Sequence, residues 1–189
     1  MIHLLPHLFG MLLLSTCSLL PYGADYQGAW IFLLAPAHVF GRFARGVHAL
    51  LWIECLVIHH GFLIVLLAPA WGMWHAVLFV TYSLAAASVY LALELKLVDG
   101  VPFARRVDAA RGAVMLPVLL IGGIVVAIAV GLQYLLVFRS PAIVGMTVIA
   151  LAVAAYFLTR HALGTFAVAM RYHLGLLAAE SGSLYKEVG

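Results

Sequence analysis

The sequence predicts an all-α membrane protein, a polytopic bundle of about five transmembrane helices with one amphipathic helix lying in the membrane surface. Three observations carry this. Of the 189 residues, 66% are hydrophobic and only 9% charged, whereas about a quarter of the residues of a soluble domain are charged. Apolar runs of twenty residues or so recur along the chain, each long enough to cross roughly 30 Å of hydrocarbon as a helix. These runs are continuous instead of alternating with polar residues, which argues against barrel strands. Backbone groups in lipid must be bonded within their own segment, so helices are what remains.

The elements follow in order. A first span covers about residues 3–22; before Leu20 it holds His3 and His7 but no Lys or Arg, so it lacks the cationic start of a secretory signal. Leu14-Ser15-Thr16-Cys17 is a poor lipoprotein cleavage box, with Thr16 where a smaller residue belongs. After a semi-polar linker, an interfacial helix is expected over about 36–48, with Pro36 suited to its first turn. His38, Arg42, Arg45 and His48 recur at helical spacing on one face, while Val39, Phe40, Phe43 and Val47 lie opposite. Cations toward headgroups and rings toward acyl chains is the pattern of a surface helix. It reads either as a simple connector or as a docking surface for a cytoplasmic partner.

A second span over 49–70 and a third over 75–95 are joined by Trp71-Gly72-Met73-Trp74, an aromatic anchor at the membrane interface. A charged loop containing Lys96, Arg105, Arg106 and Arg111 leads to spans at 113–137 and 142–163 and a tail at 164–189. Of the ten Lys and Arg residues, alternation of five spans puts all except Arg139 on one side. By the excess of positive charge in cytoplasmic loops, that side is the cytoplasm, the tail is cytoplasmic and the N-terminus external. An uncharged external start fits the later portion of a longer membrane protein. The pI near 9 thus reflects membrane sidedness, and no nucleic-acid partner is expected.

The second span reads LLWIECLVIHHGFLIVLL from Leu50 to Leu67. Glu54, His59 and His60 sit where lipid penalises them, so they are expected to face protein. One reading has them hydrogen-bonded to neighbouring helices and holding the bundle together; another has them lining a transport pathway or subunit seam. Imidazole is also a haem or metal ligand. The midpoints of the other spans, near Ala85, Val125 and Ala152, offer no second histidine at matching depth, so haem ligation through His59 or His60 would need another chain. Glu54 and His59 lie about 140° apart around an α-helix and do not share a face. On the third span Ser83, Ala87, Tyr90 and Glu94 do share one, which makes Tyr90 and Glu94 further seam or pathway candidates. Gly123, Ala127 and Gly131 form a small-residue ladder on the fourth, which permits close helix approach.

Cys17 and Cys55 fall in separate apolar runs and suggest neither a disulfide framework nor a metal site. The sequence has no GxxxxGK[ST], HExxH, GxSxG or CxxC, so no catalytic residue, cofactor or metal ligand is expected, and any energy source must come from a partner.

Asp25-Tyr26-Gln27-Gly28-Ala29-Trp30-Ile31-Phe32, continuing through Ala35-Pro36 and Arg45-Gly46-Val47, together with Leu93 to Phe103, LELKLVDGVPF, resembles the later half of bacterial type-2 ABC exporter permease-like proteins. The resemblance implies an inner-membrane permease component that pairs with a cytoplasmic ATPase and exports a substrate through a dimeric seam. His38, Arg42, Arg45, His48, Arg105 and Arg106 would then be docking residues. Five spans instead of six implies that further spans come from another chain or copy. The alternative is a structural or redox subunit of a larger membrane complex.

Overall fold

The computed structural model describes residues 2–23, 32, 34–98, 100–103 and 112–187, and among them no strand forms. The first helix, α1 (Leu5–Leu19), is entered through a 3-10 turn at Ile2–Leu4 and has proline in its first turn, where the missing N–H costs nothing. α2 (Phe40–Leu51) follows a 3-10 turn at Ala37–Val39. It passes through a π-helical turn at Trp52–Val57 into α3 (Ile58–Trp71) without a break. α4 (Met73–Leu95), α5 (Gly112–Leu136), a 3-10 turn at Val137–Arg139 and α6 (Pro141–Glu187) complete the order.

Gly72 makes the α3–α4 turn possible, because its φ of +79° is a conformation side chains rarely adopt. Its N–H donates to the Ala68 carbonyl at 2.9 Å. α6 is capped where the Ser140 hydroxyl accepts the Ile143 N–H at 3.3 Å, just before Pro141 at the first helical position.

The helices run between two distinct ends. At the aromatic end the His3 and Phe138 ring centres lie 4.9 Å apart, Trp71 and Phe79 5.5 Å, and Tyr82 and Phe138 5.3 Å. At the opposite, basic end the Phe103 N–H donates to the Leu20 carbonyl at 2.8 Å, and Gly100 lies against the His173 ring. α1, α4 and α6 therefore run one way, and α3 and α5 the other. α4 is the central helix, packed on α1, α3 and α6. The largest buried cluster sits toward the basic end and includes Leu13, Leu56, Leu91, Leu95, Phe166 and Met170.

Three stretches are long and apolar enough to cross a membrane: Phe40–Trp71, Met73–Leu95 and Pro141–Gly175, of 32, 23 and 35 residues. Leu5–Leu19 and Val126–Arg139 are shorter apolar helices. Helices stand at all five positions expected from the sequence, with altered bounds. The first ends at Leu19 instead of residue 22. The surface helix and second span form one continuous rod, because α2 buries Phe40, Ala44 and Leu51 and packs along α6. The tail is no separate segment either: α6 continues through it, burying Phe166, Ala167, Met170 and Leu174. Among the described residues the small-residue ladder of α5 meets no other helix, for a Cβ at Gly123 or Gly131 would have nothing within 4 Å.

Candidate functional site

α4 carries a file of polar side chains. Ser83, Tyr90 and Glu94 fall within an arc of about 40° around an α-helix and span roughly 16 Å of its length. Each is turned into the protein, Ser83 and Glu94 buried and Tyr90 half-buried. Ser83 is met by His60 of α3, which is 1% exposed. The His60 Nδ1–H donates to the Leu56 carbonyl at 2.8 Å, and its Nε2 accepts from the Ser83 hydroxyl at 2.9 Å. Both ring nitrogens are thereby engaged in a single neutral tautomer. A serine beside a histidine is also the geometry of an activated nucleophile. Here Ser83 is 0% exposed and neither residue lines the groove or cavity described below, so the pair acts as a pin between helices.

Tyr90 belongs to a second, three-helix knot. Its hydroxyl donates to His7 Nδ1 of α1 at 2.8 Å, and the His7 Nε2–H donates to Gln133 Oε1 of α5 at 2.9 Å. α1 can approach this closely because Gly10 lies under the Tyr90 ring, where a Cβ would stand 2.7 Å from ring carbons. The knot opens onto a cavity of about 320 Å³ bounded by His7, Tyr82, Tyr90, Gln133 and apolar residues of α4, α5 and α6. The buried Gln133 Nε2 and Glu94 Oε2 have no hydrogen-bond partner among the described residues. Buried polar atoms usually find partners, so both atoms mark places where something polar is wanted.

His60, Tyr90 and Glu94 therefore come together along one helix, whereas Glu54 and His59 do not join them. Both are exposed on the outer side of the bundle, and His59 bonds only its own helix, Nδ1 to the Glu54 carbonyl at 2.9 Å. Adjacent helical residues point about 100° apart, so His60 facing α4 turns His59 outward. Neither hydrogen-bonds another helix among the described residues, although the His59 ring lies edge-on to Phe9 of α1 with centres 6.2 Å apart. His7 and Gln133 were not singled out from the sequence. A signal existed for Gln133, the one amide in the apolar run of α5.

The basic face of α2 is divided. His38 and Arg42 are exposed, whereas Arg45 and His48 line a groove of about 860 Å³ between α2, α4 and α6. Trp52 stands in this groove and donates its indole N–H to Ser88 of α4 at 3.0 Å, tying the π-helical turn to the central helix. Arg105 and Arg106 lie outside the described residues. Among the described residues no three or more His, Cys, Asp or Glu side chains gather as a metal site would require. Compared with protein-family models, with curated proteins and with solved structures, the chain finds no match.

Proposed function

We propose that this chain is the membrane-embedded permease component of an exporter in a bacterial inner membrane, energised by a separate cytoplasmic ATPase. The observation that supports it best is the inward-facing Tyr90 and Glu94 of α4, with His7 and Gln133 beside Tyr90, inside a largely apolar bundle. Polar groups within a membrane usually face protein or a water-filled path and often belong to routes for ions and substrates. The cavity beside His7, Tyr90 and Gln133 and the unpartnered Glu94 oxygen suit a path better than a purely apolar core would. The basic end is the cytoplasmic one, in keeping with the excess of Lys and Arg there. All five helices cross, leaving the tail inside.

In this reading His38 and Arg42, exposed at the basic end, form with Arg105 and Arg106 the face that meets the ATPase. The outward small-residue ladder of α5 suits close approach by a helix of another chain or a second copy. In this reading the chain carries no catalytic step of its own, and the buried Ser83–His60 pair serves packing. The redox-subunit alternative ranks second, because ligation by His60 would first have to break its bond to Ser83 or to Leu56, and ligation by the exposed His59 would need its axial partner from another chain.

The test is affinity purification from the native membrane, followed by an ATP hydrolysis assay and an absorption spectrum. The expected result is a co-purifying nucleotide-hydrolysing subunit whose activity falls several-fold with Arg42→Glu. A preparation without ATPase activity contradicts the permease reading, and a Soret band would replace it with the redox one.

A further inference from the structure

The groove between α2, α4 and α6 has a composition that the transport reading does not use. Its walls change character along their length. Toward the bundle's middle they are mostly apolar, lined by Leu84 and Ala85 of α4 and by Val148, Ala152 and Ala155 of α6, with Thr81 and Tyr156 among them. Toward the basic end they carry Arg45 from α2 and Arg160 and Arg171 from α6, with His48 beside them. Arg160 and Arg171 are eleven residues apart, three turns, and so project from nearly the same face of α6. All three arginines are exposed, and among the described residues no carboxylate lines the groove. Trp52, half apolar and half polar, stands where the two regions meet, as such residues do at a membrane interface.

A concentration of guanidinium groups with no acidic partner among the described residues, at one mouth of an apolar trough, is complementary to a molecule that is anionic at one end and oily along the rest. Guanidinium binds phosphate through paired parallel hydrogen bonds. A volume of about 860 Å³ falls within the range of roughly 300–1,000 Å³ typical of sites for small molecules. We propose that the groove between α2, α4 and α6 holds one acidic phospholipid of the inner leaflet, its phosphate met by Arg45, Arg160 and Arg171 and its acyl chain laid between Ala85 and Ala152. The site needs the chain to sit in a bilayer with its basic end inward, and needs no transport activity. It would order α2 against α6, fixing the exposed Arg42 face from beneath.

The experiment is native mass spectrometry of the detergent-purified full chain, titrated with phosphatidylglycerol and with phosphatidylcholine, and with glycerol phosphate as the free headgroup. Three forms are compared: wild type, Arg45→Gln/Arg160→Gln, and Ala152→Trp. Positions 45, 152 and 160 are exposed, so neither variant disturbs the core, and circular dichroism checks that each stays folded. The expected result is one tightly held phosphatidylglycerol on wild type. Binding should be roughly thirtyfold weaker in the double arginine variant, from the usual contribution of a basic side chain at an anionic surface. It should also be lost in Ala152→Trp, whose charges are intact. Equal retention of phosphatidylcholine would overturn the charge argument. Phosphatidylglycerol binding unaffected by Ala152→Trp, or matched by glycerol phosphate, would overturn the groove. ATPase co-purification unchanged with Ala152→Trp, which alters no docking residue, leaves the permease reading standing whichever way the lipid result falls.

Discussion

At the scale of single residues, the two histidine knots do what apolar contact cannot. Inside lipid a leucine gains little by touching another helix instead of an acyl chain, so close packing and interhelical hydrogen bonds decide which helices pair. His60 fixes α3 to α4 through Ser83, and His7 fixes α1 to both α4 and α5. Ser83→Ala should destabilise the folded chain by about 1 kcal/mol, the upper part of the range for such bonds in membranes. Unfolding of the detergent-purified protein by SDS checks this, with His60→Leu/Ser83→Ala costing less than the sum of the two single changes. Gly10→Ala should cost about 1–3 kcal/mol by overpacking, since its new carbon would stand 2.7 Å from the Tyr90 ring. Gly131→Ala, with open space around it, should be neutral in the same monomeric assay.

The sequence could carry this only in part. That polar side chains in the second and third apolar runs would turn inward was legible for His60, Tyr90 and Glu94. Which of two adjacent histidines faces α4 was not, because the choice depends on the rotation of α3. A π-helical turn at Trp52–Val57 shifts that rotation by about one residue, and no residue pattern announces it. His7 gains its meaning only from Gln133, 126 positions away.

At the scale of elements, α2 shows why an amphipathic pattern is ambiguous. Arginines on one side and phenylalanines on the other fit a helix lying on lipid, and fit equally a helix packed by Phe40 and Ala44 against α6 with its arginines at a groove and in solvent. The structure has the second arrangement, continuous with α3. Spin labels at Arg42→Cys and Phe62→Cys, in a Cys17→Ala/Cys55→Ala background, should lie about 30 Å apart along the axis of a straight helix. A helix turned at a right angle near residue 49 would bring them to about 22 Å. Electron–electron distance measurement separates the two. Breaking the Trp52–Ser88 bond with Trp52→Phe should broaden that distribution, because the indole N–H is what ties the π-helical turn to α4.

At the scale of the whole molecule, an aromatic end and a basic end were both foreseeable from composition: Trp71 and Trp74 bracket one turn, and Lys and Arg gather in alternate linkers. The alternation places five helices between those ends, and the structure closes them there through His3 with Phe138 and Gly100 with His173. What composition could not give is the length of the rods. Phe40–Trp71 and Pro141–Gly175, of 32 and 35 residues, exceed the twenty or so needed for hydrocarbon, and their surplus builds the basic end, where the proposed ATPase face and the proposed lipid groove both lie.

The central claim is a helical bundle embedded in the membrane with its basic end inside the cell. The most direct measurement is labelling of single cysteines in intact cells, in the Cys17→Ala/Cys55→Ala background, with a reagent that cannot cross the membrane. The account predicts that Met73→Cys and Ser140→Cys label at once, whereas Arg42→Cys and Tyr172→Cys label only after the membrane is opened. Labelling of Tyr172→Cys in sealed cells, or recovery of the chain as a monomer in buffer without detergent, would contradict it.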